Sequence, residues 1–186
     1  QKFLYMLVML PMCMSFLLRT LAWVGLLRDT GIINQFLESL GLPWYNWFLD
    51  TKTAFGTILL IDVWQNTPFV FLLLFASLQS VPEGQYEAAR IDGAGAFQQF
   101  WYVTIPNIKN SLALCALLRT IDTFRLFEKV NVLTGGGPAG TTSTITQYLY
   151  NYGIKSLDFG FGSAGAIVMT VLVLLLSSVY IKRAIS

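Results

Sequence analysis

Three polar residues, Asp62, Gln65 and Asn66, interrupt an otherwise apolar stretch that is long enough to cross a membrane. The second and third follow the first at intervals of three and four, so a helix would place all of them on one face. Carboxylate and amide groups together accept and donate hydrogen bonds, which suits a ligand rich in hydroxyl groups. The alternative is a set of bonds that only holds the helices together, with Arg119 or Arg125 as the partner. The sequence leaves both interpretations open.

A second carboxylate in an apolar region, Asp122, lies three residues from Arg119 and three from Arg125. A helix would place these charges on one face, which favours a structural salt-bridge cluster over contact with a ligand. A charge inside a bilayer costs at least about 2.5–3.5 kcal/mol, so such residues must face protein or water. The residues expected to line a polar path through the membrane are Asp62, Gln65, Asn66 and Asp122.

A charged connector stands between two apolar runs, and residues 87–106 within it read EAARIDGAGAFQQFWYVTIP. Its alanines and glycines are small enough for a partner's backbone to approach closely. Its charged side chains would supply polar contacts to that partner. A solvated helical connector is the alternative for any short string of helix formers. Gly93 can form a turn of the chain there. The residues that carry the docking interpretation are Glu87, Ala88, Ala89, Asp92, Gly93, Ala94 and Pro106.

Composition places these residues in a membrane protein. The chain has 186 residues, of which 55% are hydrophobic and 12% are charged, whereas a soluble domain has about 25% charged residues. The net charge of +2 gives no reason to expect a nucleic-acid partner. Because the chain has no histidine, a Ser-His-Asp triad and histidine-containing zinc sites are excluded. No lysine follows a glycine, which excludes a Walker A loop. We therefore expect no catalytic residue, metal or cofactor in this chain.

An all-α bundle of four membrane spans is predicted to position these residues. The spans are expected near residues 3–27, 54–79, 105–127 and 159–181. Pro11 should bend the first span, and hydropathy alone does not support the third. Between the first two spans, apolar residues from Ile32 to Leu40 recur at helical spacing, which predicts an amphipathic helix at the membrane interface.

The remaining segments predict a loop, a further helix and the orientation of the chain in the membrane. The glycine-rich stretch from Leu133 to Pro138 predicts a loop, and residues 144–154 predict a tyrosine-rich helix. Lys182 and Arg183 follow the last span, which favours a cytoplasmic C-terminus. Four spans then place both ends and the charged connector on the same side. Because the sequence begins with a glutamine, we expect an N-terminal part of the protein to precede it.

The charged connector closely resembles the EAA loop of permease subunits in ATP-binding-cassette (ABC) importers. The strings TIDTFRLFEKVNVLTGGGPAGTTS and FGFGSAGAIV are similar to the sugar-transport branch of that family, of the maltose and glycerol-phosphate type. Val103 and Ile105 depart mildly from the family, which usually has isoleucine and leucine there. The resemblance implies a type I ABC importer permease core, with four of about six spans visible.

The same resemblance implies roles and partners. Residues 1–186 would be a single transmembrane permease domain, and residues 83–106 its cytoplasmic EAA-like coupling loop. The implied partners are a second homologous permease, an ABC ATPase dimer that binds ATP and Mg, an external solute-binding protein and the lipid bilayer. The implied location is the cell membrane of a bacterium or archaeon, and the implied cargo is a sugar or sugar derivative.

Two other functions remain open from the residues. The opening string LPMCMSFLLRTLAWVGLLRDTGIINQFL also looks like a polyamine permease, and Asp62 and Asp122 could hold an amine or another cation. The sugar-type glycine loop argues against that function. An ion-coupled secondary transporter could use the same carboxylates as a proton or sodium relay, but it has no use for an EAA-like loop.

Overall fold

Every regular element among the described residues, 9–185 of the computed structural model, is helical, which confirms the all-α prediction. The α-helices are α1 (Phe16–Leu27), α2 (Ile32–Ser39), α3 (Ala54–Gln79), α4 (Glu83–Ile91), α5 (Ala96–Gln99), α6 (Ile105–Phe124), α7 (Glu128–Leu133), α8 (Ile145–Tyr150) and α9 (Phe159–Ile185). A 3-10 helix covers Leu10–Cys13, and π-helical turns cover Phe100–Thr104 and Asn151–Lys155.

These helices form two compact units. The first unit comprises the described residues of Gln1–Pro68 and Phe124–Met169, and the second comprises those of Phe69–Thr123 and Thr170–Ser186. The long helices α3 and α9 therefore each contribute residues to both units.

The predicted first span is not one continuous helix. Its residues 3–8 lie outside the described part, and the remainder is a 3-10 turn and α1, separated by extended backbone at Met14 and Ser15. The Ser15 side chain accepts a hydrogen bond from the Leu18 amide at 3.2 Å and so caps the new helix. The helix therefore breaks at residues 14 and 15, shortly after Pro11, where the sequence predicted a bend.

Within the described residues, two helices are long and apolar enough to cross a membrane: α3, and residues Phe159–Tyr180 of α9. They correspond to the predicted second and fourth spans. The predicted third span is present as α6, a helix of 20 residues that ends at Phe124 rather than at residue 127. The polar and charged residues of α6 make its mean hydropathy lower than that of the other two helices, as the sequence indicated.

An apolar core joins α1, α3 and α7 in the first unit. Its buried members are Leu27, Ile58, Ile61, Val130 and Leu133. Partly buried apolar and aromatic side chains pack around it: Trp23, Val24, Ile33, Trp47, Phe48 and Leu126. This core holds α7 against the first half of α3, and α7 carries Lys129 next to the core residue Val130.

Polar contacts connect the helices of the second unit. Ser77 of α3 and Ser111 of α6 form a hydrogen bond of 2.8 Å, and Thr120 of α6 donates to the Tyr180 hydroxyl of α9 at 3.4 Å. Small hydroxyl side chains that join helices in this way are usual in membrane bundles. They fix α6 although its sequence is the least apolar of the three long helices.

Candidate functional site

The first part of the site is an ion pair between α3 and α7. The Lys129 ammonium lies 2.5 Å from Oδ1 of Asp62, and the side chains are 1% and 21% exposed respectively. Asn66, one turn after Asp62, donates its Nδ2 to the same carboxylate oxygen at 3.1 Å and to the Asp62 carbonyl at 2.8 Å. The Lys129 ammonium also lies over the Phe16 ring, 5.6 Å from its centroid. The predicted alignment of Asp62 and Asn66 on α3 is therefore present, with a basic partner that the sequence did not suggest.

Gln65 joins this ion pair to α1. Its Nε2 donates to the Thr20 hydroxyl at 3.3 Å, and its backbone carbonyl accepts from the Arg19 guanidinium at 3.4 Å. The buried Oε1 of Gln65 and Nε of Arg19 have no hydrogen-bond partner among the described residues. Since buried polar groups are nearly always hydrogen-bonded, an acceptor and a donor remain available for water or a ligand. Together these residues form a polar cluster, which comprises Arg19, Thr20, Asp62, Gln65, Asn66 and Lys129.

The polar cluster can bind hydroxyl groups better than it can bind a cation. Asp62 is the carboxylate of the cluster, and Lys129 already neutralises it. Arg19 adds a second positive charge to the group. Its free donor and the free acceptor of Gln65 match the two hydrogen-bonding functions of a hydroxyl group. Trp64, adjacent in sequence, meets Trp23 edge-to-face at 5.4 Å between centroids and stays exposed.

Asp122 belongs to the second unit, where its Oδ2 lies 3.4 Å from the Arg119 guanidinium. The prediction that these two residues share a helix face is confirmed. Arg125 lies just beyond the end of α6 at Phe124. Arg125 instead lines an apolar cavity of about 600 Å³ in the first unit, beside α8 and the start of α9.

The EAA-like segment forms a helical hairpin in the second unit. Its first arm is α4, its turn covers residues 92–95, and its second arm starts at α5. The second arm continues through the π turn at Phe100–Thr104 directly into α6. Pro106 is the second residue of α6, directly after the π turn, so its ring and its missing amide hydrogen fall where the regular helical hydrogen-bond pattern is already interrupted. A displacement of the hairpin would therefore reach α6 without an intervening loop.

Gly93 lies in the turn of the hairpin, as predicted. Its φ of +80° is in the left-handed region, and the Ala94 amide donates back to the Ala89 carbonyl at 2.9 Å. A Cβ at Gly93 would meet no atom within 4 Å. The requirement for glycine is thus the backbone angle and not the space. Glu87, Ala88 and Asp92 are exposed, and Ala89 and Ala94 are half-buried.

Two side-chain contacts join the arms of the hairpin. The hydroxyl groups of Tyr86 and Thr104 are 2.9 Å apart, and Asn107 donates to the Gln85 side-chain carbonyl at 2.6 Å. A polar cleft of about 680 Å³ borders the first arm and is lined in part by Glu83, Glu87 and Arg90. The hairpin therefore presents a polar, open surface while its own arms are held together.

Sequence reasoning missed Lys129, Arg19, Thr20 and the contacts between the hairpin arms. Lys129 follows Asp62 by 67 positions, so no local spacing connects them. The only available signal was a single lysine in a short apolar stretch, and this signal is too common to identify a partner. Tyr86 and Thr104 lie in the predicted hairpin, but their pairing depends on the angle between its arms.

Comparison with known proteins decides which family the chain represents. The profile of one family, described as "Binding-protein-dependent transport system inner membrane component", matches residues 1–183. The chain belongs to this family. The membrane location predicted from composition and the resemblance to importer permeases are both confirmed.

Relatives of this family member include several sugar permeases. The trehalose/maltose permease MalF of Thermococcus litoralis is 45% identical over 152 residues, which cover 82% of this chain and 51% of MalF. The sulfoquinovosyl glycerol permease SmoG of Agrobacterium fabrum is 36% identical over 154 residues, 83% of this chain and 50% of SmoG. The chain thus spans about half the length of the curated relatives it matches.

Solved structures show the same fold. A bacterial ABC transporter involved in the import of the acidic polysaccharide alginate superposes with a TM-score of 0.88. The match covers 98% of this chain and 65% of that chain, at 22% sequence identity. At this identity the likeness concerns the fold, which is the helical permease fold predicted from the sequence.

Proposed function

We propose that this chain is part of a permease subunit of an ATP-driven ABC importer, which translocates a sugar or sugar derivative delivered by an external binding protein. The observation that carries the proposal is the exposed hairpin whose second arm is continuous with the long helix α6. Such an element can receive force from a cytoplasmic partner and pass it to a helix as a rigid body. The partners are a second homologous permease and an ABC ATPase dimer, which binds ATP and Mg.

In this mechanism Glu87, Ala88, Ala89, Asp92, Gly93, Ala94 and Pro106 form the coupling loop. The small residues allow the ATPase surface to approach the turn, and Glu87 and Asp92 bring exposed charges to it. Closure of the ATPase dimer displaces α4 and α5 together, because the Tyr86–Thr104 contact joins the arms. The π turn passes this displacement to α6 within one helical segment.

The coupling role is tested at the turn. Leucine at position 93 must adopt a left-handed angle, at a cost of roughly 1–2 kcal/mol, enough to weaken ATPase binding by about tenfold. We expect Gly93→Leu to lose transport and to copurify with less ATPase. Gly84→Leu is the matched control, because Gly84 lies in α4 without a positive φ and a Cβ added there would meet no atom within 4 Å. Gly93→Asn should retain function, since asparagine tolerates this angle. Equal transport by the two leucine variants would exclude the role.

In the first unit the proposed substrate path runs along the polar cluster, and Asp122 is a separate candidate path residue in the second unit. The unpartnered Oε1 of Gln65 and Nε of Arg19 support it, because buried polar atoms normally have a hydrogen-bond partner and a hydroxyl group can act as donor or acceptor. The neutralised Asp62 argues against the polyamine alternative, in which its charge would be the ligand. The sugar chemistry is also that of the related permeases MalF and SmoG.

Uptake by proteoliposomes that contain the complete importer tests the path. Gln65→Ala and Asn66→Ala should lower uptake of the native sugar while basal ATP hydrolysis persists. Asp62→Asn should retain part of the uptake if the cargo is a sugar and lose it if the cargo is a cation. Thr67→Ala is the control on the same helix, because the Thr67 hydroxyl bonds only the Val63 carbonyl and is exposed. Unchanged uptake in the first three variants would exclude the path.

The proposed orientation places the hairpin and the C-terminus in the cytoplasm. Arg90 is exposed on α4 and Lys182 is exposed near the end of α9. A cysteine at either position should react with a membrane-impermeant maleimide only after the membrane is opened. Labelling of position 90 in intact cells would overturn this orientation.

A further inference from the structure

The helix α2 has its polar and apolar sides in an unusual arrangement. Its buried residue is Asn34, and the apolar side chains of Ile32, Phe36 and Leu40 are 68%, 61% and 59% exposed. The three follow one another at intervals of four, so they form one stripe along the helix and its C-terminal cap. Ile33, on another side of the helix, packs against the apolar core, so the stripe is an additional apolar side that the protein leaves uncovered. A helix on a water-exposed surface has polar residues on its outer side instead.

Asn34 fixes this orientation through four hydrogen bonds. Its Nδ2 donates to the carbonyls of Arg28 at 3.2 Å and Tyr45 at 3.0 Å. Its Oδ1 accepts from the Tyr45 amide at 3.2 Å and from the Trp47 indole at 3.0 Å. The side chain thus uses its full hydrogen-bonding capacity inside the protein. The outward position of the apolar stripe is therefore specified by the structure and is not a consequence of loose packing.

The apolar stripe continues into the surface of a membrane helix. The segment between α2 and α3 exposes Trp44, Tyr45 and Leu49, and the first turns of α3 expose Phe55 and Leu59. α3 is long and apolar enough to span the bilayer. Tryptophan and tyrosine are enriched where a membrane meets water, and Trp44 and Tyr45 occupy that position just before the span.

We propose that α2 lies in the headgroup region of the bilayer, with Ile32, Phe36 and Leu40 inserted among the lipid chains. Gln35 and Ser39 are exposed on a neighbouring side of the helix and face water. α2 contains no lysine or arginine, so apolar burial and not attraction to anionic lipid holds it there. A bilayer of phosphatidylcholine alone is therefore sufficient. This lipid contact is separate from the transport path and would fix the depth of α3.

Spin labels on α2 test the proposal in the assembled importer, reconstituted in phosphatidylcholine nanodiscs. The native cysteines, Cys13 and Cys115, are first replaced by serine in a background that retains ATP hydrolysis. Labels are then placed by Phe36→Cys on the stripe and by Gln35→Cys on the polar side. The measurement is the accessibility of each label to oxygen, which concentrates in lipid, and to a water-soluble nickel chelate.

We expect the ratio of oxygen to nickel accessibility at position 36 to exceed that at position 35 several-fold, with no change when phosphatidylglycerol is added. If a label at 36 prevents assembly, Ile32→Cys reports on the same stripe. High nickel accessibility at both positions would show water around the helix and overturn the proposal. Low accessibility to both reagents at position 36 would show a protein partner instead of lipid. A lipid signal that requires phosphatidylglycerol would overturn the apolar basis of the contact.

Discussion

The ion pair of Asp62 and Lys129 predicts a strong asymmetry between its two partners. Lys129 is 1% exposed, whereas a fifth of the Asp62 side chain is exposed. Asp62→Leu leaves a buried ammonium without its carboxylate, which typically costs about 3–5 kcal/mol. Lys129→Met leaves a partly exposed carboxylate that keeps the Asn66 hydrogen bond, so we expect a smaller cost of about 1–3 kcal/mol.

The double variant Asp62→Leu/Lys129→Met should be more stable than Asp62→Leu alone. Apolar replacement of a whole buried pair is often neutral or stabilising, because both desolvation costs disappear. The two single costs should therefore not add, and the coupling between them should exceed about 2 kcal/mol. On the usual scale for a chain of this length, Asp62→Leu should lower the apparent melting temperature by roughly 10 °C.

The assay is thermal unfolding of the assembled importer in nanodiscs, followed by tryptophan fluorescence at one scan rate. The control is the same cycle on Arg119 and Asp122, an ion pair of 3.4 Å in which the aspartate is 54% exposed. Its coupling should be no more than about 1 kcal/mol. Equal costs of the two single replacements at the buried pair, or additive costs in the double variant, would refute the role assigned to burial.

Three further changes probe other parts of the fold. Gly153→Ala should destabilise the protein because its Cβ would meet the Gly162 Cα at 2.7 Å, whereas Gly25→Ala, with nothing within 4 Å, should not lower the melting temperature. Asn34→Leu should cost about 2–4 kcal/mol, since it leaves several backbone and indole groups unpaired, and should raise proteolysis between α2 and α3. Tyr86→Phe should leave ATPase copurification intact but reduce the transport achieved per ATP hydrolysed, because the hairpin arms lose a contact; unchanged coupling would exclude that role.

The sequence predicted the positions of the long helices well, because apolar runs and polar connectors differ strongly in composition. α3 and α9 match their predicted spans, and the glycine-rich segment forms the loop between α7 and α8. The first span was the exception. Ser15 is a helix-capping residue within an apolar run, and hydropathy averages over it. The break depends on one side-chain hydrogen bond that a window of about 20 residues does not register.

The candidate site was only partly predictable because its contacts are distant in sequence. Spacing placed Asp62, Gln65 and Asn66 on one helix, and the structure agrees. Spacing also suggested Arg119 or Arg125 as the ionic partner, whereas packing of α7 brings Lys129 to Asp62. The orientation of α2 was predicted as interfacial, but only the hydrogen bonds of Asn34 show which side faces the protein.

The separation of 67 positions between Asp62 and Lys129 also affects the order in which the two residues are synthesised. Ribosomes add roughly 5–20 residues per second, so Asp62 is made roughly 3–13 s before the lysine that neutralises it. During that interval a nascent α3 in lipid would carry an unneutralised carboxylate, at a cost of about 2.5–3.5 kcal/mol. Retention of α3 beside the insertion machinery until α7 has emerged would avoid this cost. The order of synthesis thus favours a late release of α3 into the bilayer, after α7 has emerged.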